Sequence, residues 1–215
     1  MSVRKTLGIA LVVIATLTVG WTLRATTAID VEVAVARIEA LAGGPSAAAL
    51  APAIDAYRRA VSLGLVTNPT LLTVIDYTRP STEPRLWVLD LALGRVLHRE
   101  LVAHGRGSGD NLATKFSNSD GSKMSSLGLF VTDRSYQGQN GYSLRLRGLD
   151  PGLNDHAFAR AIVIHGASYV NAAIAAQLGR LGRSWGCPAV RLDFARTLID
   201  LIKGGTVVYA YGARG

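Results

Sequence analysis

The chain has 215 residues, of which 49% are hydrophobic and 18% charged, and it carries a formal net charge of +8. This length suits one substantial domain with an extension, and this balance of residues excludes a disordered chain. A single cysteine excludes a disulfide-stapled scaffold, and the scattered arginines lack the interleaved aromatic residues typical of a nucleic-acid interface.

The N-terminal segment has the residue order of an export signal. Arg4 and Lys5 precede an uncharged, mostly apolar stretch over residues 6–23, and residues 26–28 offer a mediocre cleavage site. The stretch exceeds a typical secretory h-region and is just long enough to span a bilayer, so residues 1–28 are predicted to be a signal peptide or a membrane anchor. A buried N-terminal helix is the less favoured alternative. The basic start predicts a body outside the cytoplasm, in the periplasm or cell envelope.

Residues 29–79 are predicted to form a helical segment that packs on the following domain. Residues 31–41 are Ala-rich with apolar spacing, and Ser46 is a suitable cap for a second helix that ends near Leu63. Asn68, Pro69 and Thr70 are expected to open a short third helix that reaches Tyr77.

The signals change near residue 80, where strand patterns begin. Residues 85–91 and 95–103 form a hairpin pattern around Gly94. Further strands are predicted over residues 127–132, 142–146, 161–165 and 206–211, with helices capped by Ser168 and Asp193. Strands dominate and no alternation of strand and helix occurs, so residues 80–215 are predicted to be a mainly β sandwich or barrel with peripheral helices.

A stretch rich in Gly, Ser and Asn, residues 104–126, separates two groups of predicted strands. It is too long for an ordinary connection, and such loops are usually functional or mobile. Its alternating glycines faintly resemble a phosphate loop, but the spacing is wrong and no helix follows. We therefore do not predict nucleotide binding.

The only cysteine, Cys187, lies in the sequence Gly-Arg-Ser-Trp-Gly-Cys-Pro of residues 182–188. In an exported protein a lone thiol cannot form an internal disulfide, which invites a chemical role. Gly186 has no Cβ, so a substrate can approach the sulfur, and the amides of Gly186 and Cys187 are predicted to line an oxyanion hole. We predict that Cys187 is a nucleophile; an inert buried cysteine is the alternative.

His165 is the predicted general base for Cys187. It ends an apolar run where a strand gives way to a loop, and an imidazole there can accept the thiol proton. Ser184 is predicted to orient the imidazole through its carbonyl or hydroxyl group, with simple turn capping as the alternative. A structural core histidine is the alternative for His165. Weaker histidine candidates are His98, His104 and His156. One cysteine and dispersed histidines make no ligand-spaced cluster, so we predict no metal and no cofactor.

These residues resemble the catalytic domain of the L,D-transpeptidases of the YkuD type, in the branch of murein L,D-transpeptidase catalytic domain proteins. The resemblance covers roughly residues 80–211. It rests on the following segments in order: residues 125–128, 142–146, 148–149, 154–155, 160–165 and 182–188.

The resemblance implies an enzyme that acts on peptidoglycan stem peptides. Cys187 would attack the carbonyl of the third residue and expel the terminal D-Ala, with His165 as base and later acid and Ser184 as the orienting group. An amine of a second stem would then take the acyl group, giving a 3→3 cross-link. A carbapenem is expected to acylate Cys187 by the same analogy. The substrate-binding positions that we assign are Gly166, Arg183, Trp185, Tyr142 and Arg191.

The sequence departs from the more familiar members at two places. Trp185 stands where they carry His, and Pro188 is followed by Ala and Val where they carry an aliphatic residue and then Arg or Asn. Hydrolysis of the same bond, an L,D-carboxypeptidase activity, therefore stays open, as does a non-catalytic wall-binding module. The enzyme alternatives predict thiolate reactivity below pH 7, which a binding module does not need. In every case the expected partner is a peptide of the cell wall. Membrane association is expected through residues 1–28, and no nucleic-acid partner is expected.

Overall fold

A mixed eight-stranded sheet organises residues 29–213, the part of the chain that the computed structural model describes. Four helices accompany the sheet in this part of the chain. In chain order the elements are α1 Val31–Glu39, α2 Ala47–Ser62, β1 Leu71–Asp76, β2 Leu86–Asp90, β3 Arg95–Glu100, β4 Gly128–Gly138, β5 Gly141–Gly148, β6 Val163–Ala167, α3 Ala172–Leu178, β7 Ala189–Arg191, α4 Leu192–Ile202 and β8 Val207–Tyr211. The predicted class, mainly β with peripheral helices, is confirmed.

The two edges of the sheet meet at Ala103 and Ala189. The strand order is β3-β2-β1-β8-β4-β5-β6-β7, with β1 and β8 parallel, β6 and β7 parallel, and the other neighbours antiparallel. Beyond β3, the amide of Ala103 donates to the carbonyl of Ala189 over 2.8 Å, and the reverse bond measures 3.4 Å. The sheet therefore curls back on itself, and β7 is paired on both sides.

Alternate side chains of the sheet enter two apolar clusters, because successive residues of a strand point to opposite faces. On β1, Leu72 and Val74 pack with α2, whereas Leu71 and Ile75 pack in the cluster that also holds α4. Burial of these large side chains from both sides supplies the main driving force for the fold. Helix α4 packs directly against β6, the strand that carries His165.

Strand β1 corrects the prediction of a third N-terminal helix ending near Tyr77. All six of its residues are buried, and it lies between β2 and β8 in the sheet. A strand that is buried on both faces has no alternation of polar and apolar residues. Its sequence therefore cannot be distinguished from that of a short buried helix. The cap-like Asn68 instead makes a turn, accepting from the amide and hydroxyl of Thr70. The segment 29–79 thus contains one strand of the sheet.

Helix starts were predicted within a few residues. Ser46 caps α2 as expected, accepting from the amide of Ala49. Asn171, not Ser168, caps α3, and Asp193 lies in the first turn of α4 instead of at its cap. The three-residue strand β7 was not predicted.

The predicted signal peptide or anchor, residues 1–28, lies outside the described residues. Within residues 29–213, no helix is both long and apolar enough to cross a membrane. The division of the chain at residues 28 and 79 stays a prediction.

Candidate active site

Parallel pairing of β6 and β7 brings the predicted nucleophile and base to one place. His165 on β6 faces Ala189 on β7, and the amide of His165 donates to the carbonyl of Pro188 over 3.4 Å. Cys187 immediately precedes Pro188 in the chain. The cysteine turn therefore lies directly beside the strand that carries the imidazole.

Cys187 is a buried thiol, 8% exposed, whose Sγ lies 3.7 Å from the carbonyl oxygen of Ala161. Burial raises the pKa of the Cys187 thiol, and the amide of Val163 and the charge of Arg160 partly oppose this rise. The thiol is thus held as a neutral donor in the resting site. Arg160 is the cation placed to favour a thiolate when one forms.

His165 is 5% exposed, and its Nδ1 lies 2.9 Å from the carbonyl oxygen of Gly166. A carbonyl only accepts, so Nδ1 carries the proton and Nε2 keeps its lone pair. Burial lowers the pKa of His165, with the Gly166 carbonyl opposing the shift. The imidazole is therefore neutral near pH 7 and has the tautomer that a general base requires.

No hydrogen bond joins Ser184 to the imidazole of His165 within residues 29–213, and the predicted orienting role stays a prediction. The hydroxyl of Ser184 donates to the carbonyl of Cys187 over 2.6 Å and accepts from the amide of Gly186 over 3.1 Å. Its own carbonyl accepts from the amide of Arg106 over 2.8 Å. The imidazole contact seen in the structure is with the carbonyl of Gly166, and the hydroxyl of Ser184 closes the turn that holds Cys187.

The hydrogen bond from the amide of Gly186 to Ser184 occupies one of the two amides that were predicted to line an oxyanion hole. This leaves the amide of Cys187 as the predicted donor. Gly186 has φ +124°, and a Cβ at this position would lie 2.7 Å from the carbonyl oxygen of Met124. The position therefore requires glycine for packing as well as conformation.

The Gly/Ser-rich loop, residues 104–126, packs around this turn. The hydroxyl of Ser125 accepts from the amide of Gly105 and donates to the carbonyl of Gly186, each over 3.0 Å. The guanidinium of Arg160 donates to the carbonyls of Ser117 (2.7 Å) and Met124 (2.9 Å), and also to two serine hydroxyls. Sequence reasoning gave Arg160 no role, because its partners lie more than thirty residues away in the chain.

Three of the predicted substrate-binding side chains are engaged within the fold. Arg183 donates to the carbonyl of Gly109 and to Asp110, and Arg191 donates to Glu100 and Asp193. The hydroxyl of Tyr142 donates to Asp200 on α4 over 2.6 Å.

Gly166 has a packing role besides its carbonyl contact, since a Cβ there would lie 2.9 Å from the Cβ of Ala195 on α4. Trp185 differs from the other four predicted positions. It is 69% exposed, and Arg106 and Lys123 lie over its ring.

The three weaker histidine candidates have other partners in the fold. His98 packs against Phe194, and His156 is exposed beside Asp155. His104 is buried, with its Nδ1 2.7 Å from the guanidinium of Arg85. Burial, followed by the charge of Arg85, lowers the pKa of His104 to about 4. No group of three His, Cys, Asp or Glu side chains within residues 29–213 is placed to hold a metal.

A family model described as the L,D-transpeptidase catalytic domain matches residues 43–211. No curated protein was found to match the chain.

Solved structures similar to the chain include three L,D-transpeptidases. One from Mycobacterium smegmatis is 15% identical, with 66% of this chain and 59% of that chain covered and a TM-score of 0.41. One from Mycobacterium tuberculosis is 13% identical, with 66% and 58% covered and a TM-score of 0.42. One from Xylanimonas cellulosilytica is 18% identical, with 72% and 68% covered and a TM-score of 0.38. The chain thus spans about three fifths of the length of the first of these proteins.

Proposed function

Because the chain belongs to the L,D-transpeptidase catalytic domain family, we propose that it is an exported, cysteine-dependent acyltransferase acting on peptidoglycan stem peptides. Cys187 is the nucleophile and His165 the general base. The substrate is the bond between the third residue of a stem peptide and its terminal D-Ala. The predicted export of the body of the chain agrees with a substrate in the cell envelope.

Acylation begins with a neutral thiol and a neutral imidazole. Nε2 of His165 takes the thiol proton as Sγ of Cys187 attacks the carbonyl of the third residue. The amide of Cys187 donates to the oxyanion that develops, and the guanidinium of Arg160 favours the sulfur charge. When the C–N bond breaks, the proton on His165 passes to the departing amine of D-Ala. The result is a thioester on Cys187.

Deacylation reverses these roles. The side-chain amine of a second stem attacks the thioester carbonyl and loses its proton to His165. The C–S bond breaks, and the proton returns to the sulfur. The product is a 3→3 cross-link, and the enzyme regains its neutral pair.

One observation carries the proposal: β6 and β7 hold, beside the turn of the only cysteine, a histidine whose Nε2 makes no hydrogen bond within residues 29–213. Both side chains are buried, and the turn is closed by Ser184 and by the loop of residues 104–126. Such a constellation of nucleophile, base and orienting carbonyl supports acyl transfer. A non-catalytic wall-binding module would not need a defined tautomer at His165.

Product analysis by mass spectrometry tests the proposal and separates its alternative. The full-length chain is incubated with a disaccharide-tetrapeptide, with and without an amine acceptor. A 3→3 dimer is expected from the wild type. Tripeptide without dimer would instead identify an L,D-carboxypeptidase, and an unchanged substrate would favour a wall-binding module.

Variants assayed in the same experiment test the roles of Cys187 and His165. Cys187→Ala is expected to abolish turnover, and His165→Ala to lower it by several orders of magnitude, since the two side chains act as a unit. His156→Ala, at an exposed histidine away from the turn, is the matched control and should match the wild type. Wild-type turnover by Cys187→Ala would refute the mechanism.

A further inference from the structure

Trp185 is the exposed aromatic residue at the rim of the cysteine turn. It lies two residues before Cys187, and 69% of its surface is exposed. The guanidinium carbon of Arg106 lies 5.6 Å from the centroid of its ring, and Nζ of Lys123 lies 5.1 Å from it. Both distances fall within the range of a cation–π contact. We call these three side chains the rim cluster.

The two cations of the rim cluster are not neutralised by the fold. Among the ion pairs formed within residues 29–213, none includes Arg106 or Lys123. Nearby Arg183, in contrast, is paired with Asp110 at 2.8 Å. Each cation therefore lacks a carboxylate partner within this part of the chain, so an anion that approached either of them would be bound favourably.

The backbone of Arg106 is bonded to the cysteine turn, and the backbone of Lys123 is bonded to the residue that follows Arg106. The amide of Arg106 donates to the carbonyl of Ser184 over 2.8 Å, and the carbonyl of Lys123 accepts from the amide of Gly107 over 2.9 Å. Lys123 has φ +56°, a left-handed conformation that a lysine rarely adopts. Such conformations persist only where the surroundings enforce them, and they concentrate at functional sites.

We propose that the rim cluster of Trp185, Arg106 and Lys123 is a carboxylate-binding subsite that receives the C-terminal carboxylate of the acyl donor. This inference rests on the proposed function. In a tetrapeptide donor the carboxylate of the departing D-Ala is separated from the attacked carbonyl by only the amide nitrogen and one carbon. Two residues of chain reach at most about 7 Å, so the Cα atoms of Trp185 and Cys187 lie within that distance of each other.

The subsite would select donors by length. In a pentapeptide donor the carboxylate lies one residue further from the same bond, and this donor is expected to bind less well at the rim cluster. The indole ring would cover the apolar side of the departing residue, and the two cations would bind its charge. The rim cluster thereby couples recognition of the free carboxylate to cleavage of the bond beside it.

A pair of donors that differ only in this carboxylate tests the inference. The full-length chain is assayed with the tetrapeptide and with its C-terminal amide. Arg106→Gln and Lys123→Gln are each expected to lower kcat/KM for the acid about two- to fivefold, the upper part of the range for one exposed charge pair, and to leave the amide unchanged. Arg134→Gln, on β4, removes one charge elsewhere and should match the wild type with both donors. Equal losses with acid and amide, or no loss with either, would overturn the inference.

A binding measurement separates this inference from the proposed function. In Cys187→Ser, the indole N–H resonance of Trp185 is assigned with Trp185→Phe and titrated with N-acetyl-D-alanine and with its amide. The acid alone is expected to shift the resonance, and Arg106→Gln should weaken that shift. A shift caused by an uncharged disaccharide but not by the acid would identify a sugar-stacking surface and refute the carboxylate site. If no donor is turned over, the proposed function fails, and this titration still decides the subsite.

Discussion

The carbonyl of Ala161 faces the Cys187 thiol while Ala161 itself adopts a backbone conformation that alanine rarely takes. The Sγ to oxygen distance is 3.7 Å, and φ of Ala161 is +54°. A left-handed conformation costs an L-residue roughly 1–2 kcal/mol, which the surrounding contacts must offset. This backbone therefore aims a hydrogen-bond acceptor at the nucleophile.

Substitutions at Ala161 should reveal this cost. The side chain is exposed, so Ala161→Val meets no core and should act through the backbone alone. We expect it to lower the free energy of unfolding by about 1–2 kcal/mol, because β-branched residues disfavour positive φ. Ala161→Gly is the matched variant and should lose no stability. Denaturant unfolding measures both, and equal stabilities for Val and Gly would contradict the assignment.

Ser184→Ala should impair the cysteine turn without changing the titration of the base. The buried carbonyl of Cys187 and the amide of Gly186 would each lose a partner, at a cost of about 1–3 kcal/mol in unfolding free energy. Turnover should fall because the turn loosens. The acid limb of the pH–rate profile should stay in place, because no hydrogen bond joins Ser184 to His165 in the described part of the chain. Exposed Ser119→Ala is the control, and a shifted acid limb in Ser184→Ala would restore the orienting role.

Alkylation of the resting enzyme should need alkaline pH. Burial raises the pKa of the Cys187 thiol and lowers the pKa of the His165 imidazole, so both shifts disfavour a preformed thiolate–imidazolium pair. This differs from the thiolate reactivity below pH 7 that the sequence led us to expect of an enzyme. Iodoacetamide labelling, followed by mass, should therefore have its midpoint above the usual cysteine value of about 8.5. A midpoint below 7 would contradict the neutral pair.

The charge of Arg160 should lower that midpoint. Arg160→Gln removes a cation that favours the thiolate, so labelling should shift to still higher pH. Arg160→Lys keeps a charge in this position and should shift the midpoint less. Equal midpoints for the Gln and Lys variants would show that Arg160 acts through its loop contacts alone.

His104 should make the stability of the fold depend on pH. Its folded pKa of about 4 lies below the unfolded value of about 6.5, so the unfolded chain takes up the proton first. The contribution is complete above pH 6.5 and is lost as the pH falls towards 4, a change of about 3 kcal/mol. Urea unfolding at pH 7, 5.5 and 4 measures it. His104→Gln should flatten this dependence, with the smaller effect of His165 remaining; an unchanged slope would contradict the assignment.

The candidate catalytic pair, Cys187 and His165, could be chosen from the sequence because its signals are local. An apolar run that ends in His165 predicts a strand end, and the small residues around Cys187 predict close approach to the sulfur. The partner of each polar atom could not be predicted in the same way. Both Ser184 and Gly166 offer groups that can orient an imidazole, and only the structure shows that the Gly166 carbonyl contacts Nδ1 while the Ser184 hydroxyl bonds within its own turn.

The structural features that were not predicted from the sequence depend on contacts between residues far apart in the chain. Arg85 is fully buried and donates to the carbonyl of Val102 and to His104. No local sequence pattern predicts these partners. Arg160 holds a loop from across the fold. Strand β1 is apolar on both faces because α2 covers one side and the closed sheet covers the other. Its sequence therefore lacks the alternation of polar and apolar residues that predicts a strand.

The most direct test of the central claim is the mass of the full-length chain after exposure to a carbapenem. Attack by Cys187 opens the β-lactam ring with no group expelled, so the chain should gain the mass of one intact carbapenem. Digestion should locate the adduct on the peptide that contains Cys187, and Cys187→Ala should gain nothing. An unmodified wild type, or an equal gain by Cys187→Ala, would contradict Cys187 as the acylated nucleophile.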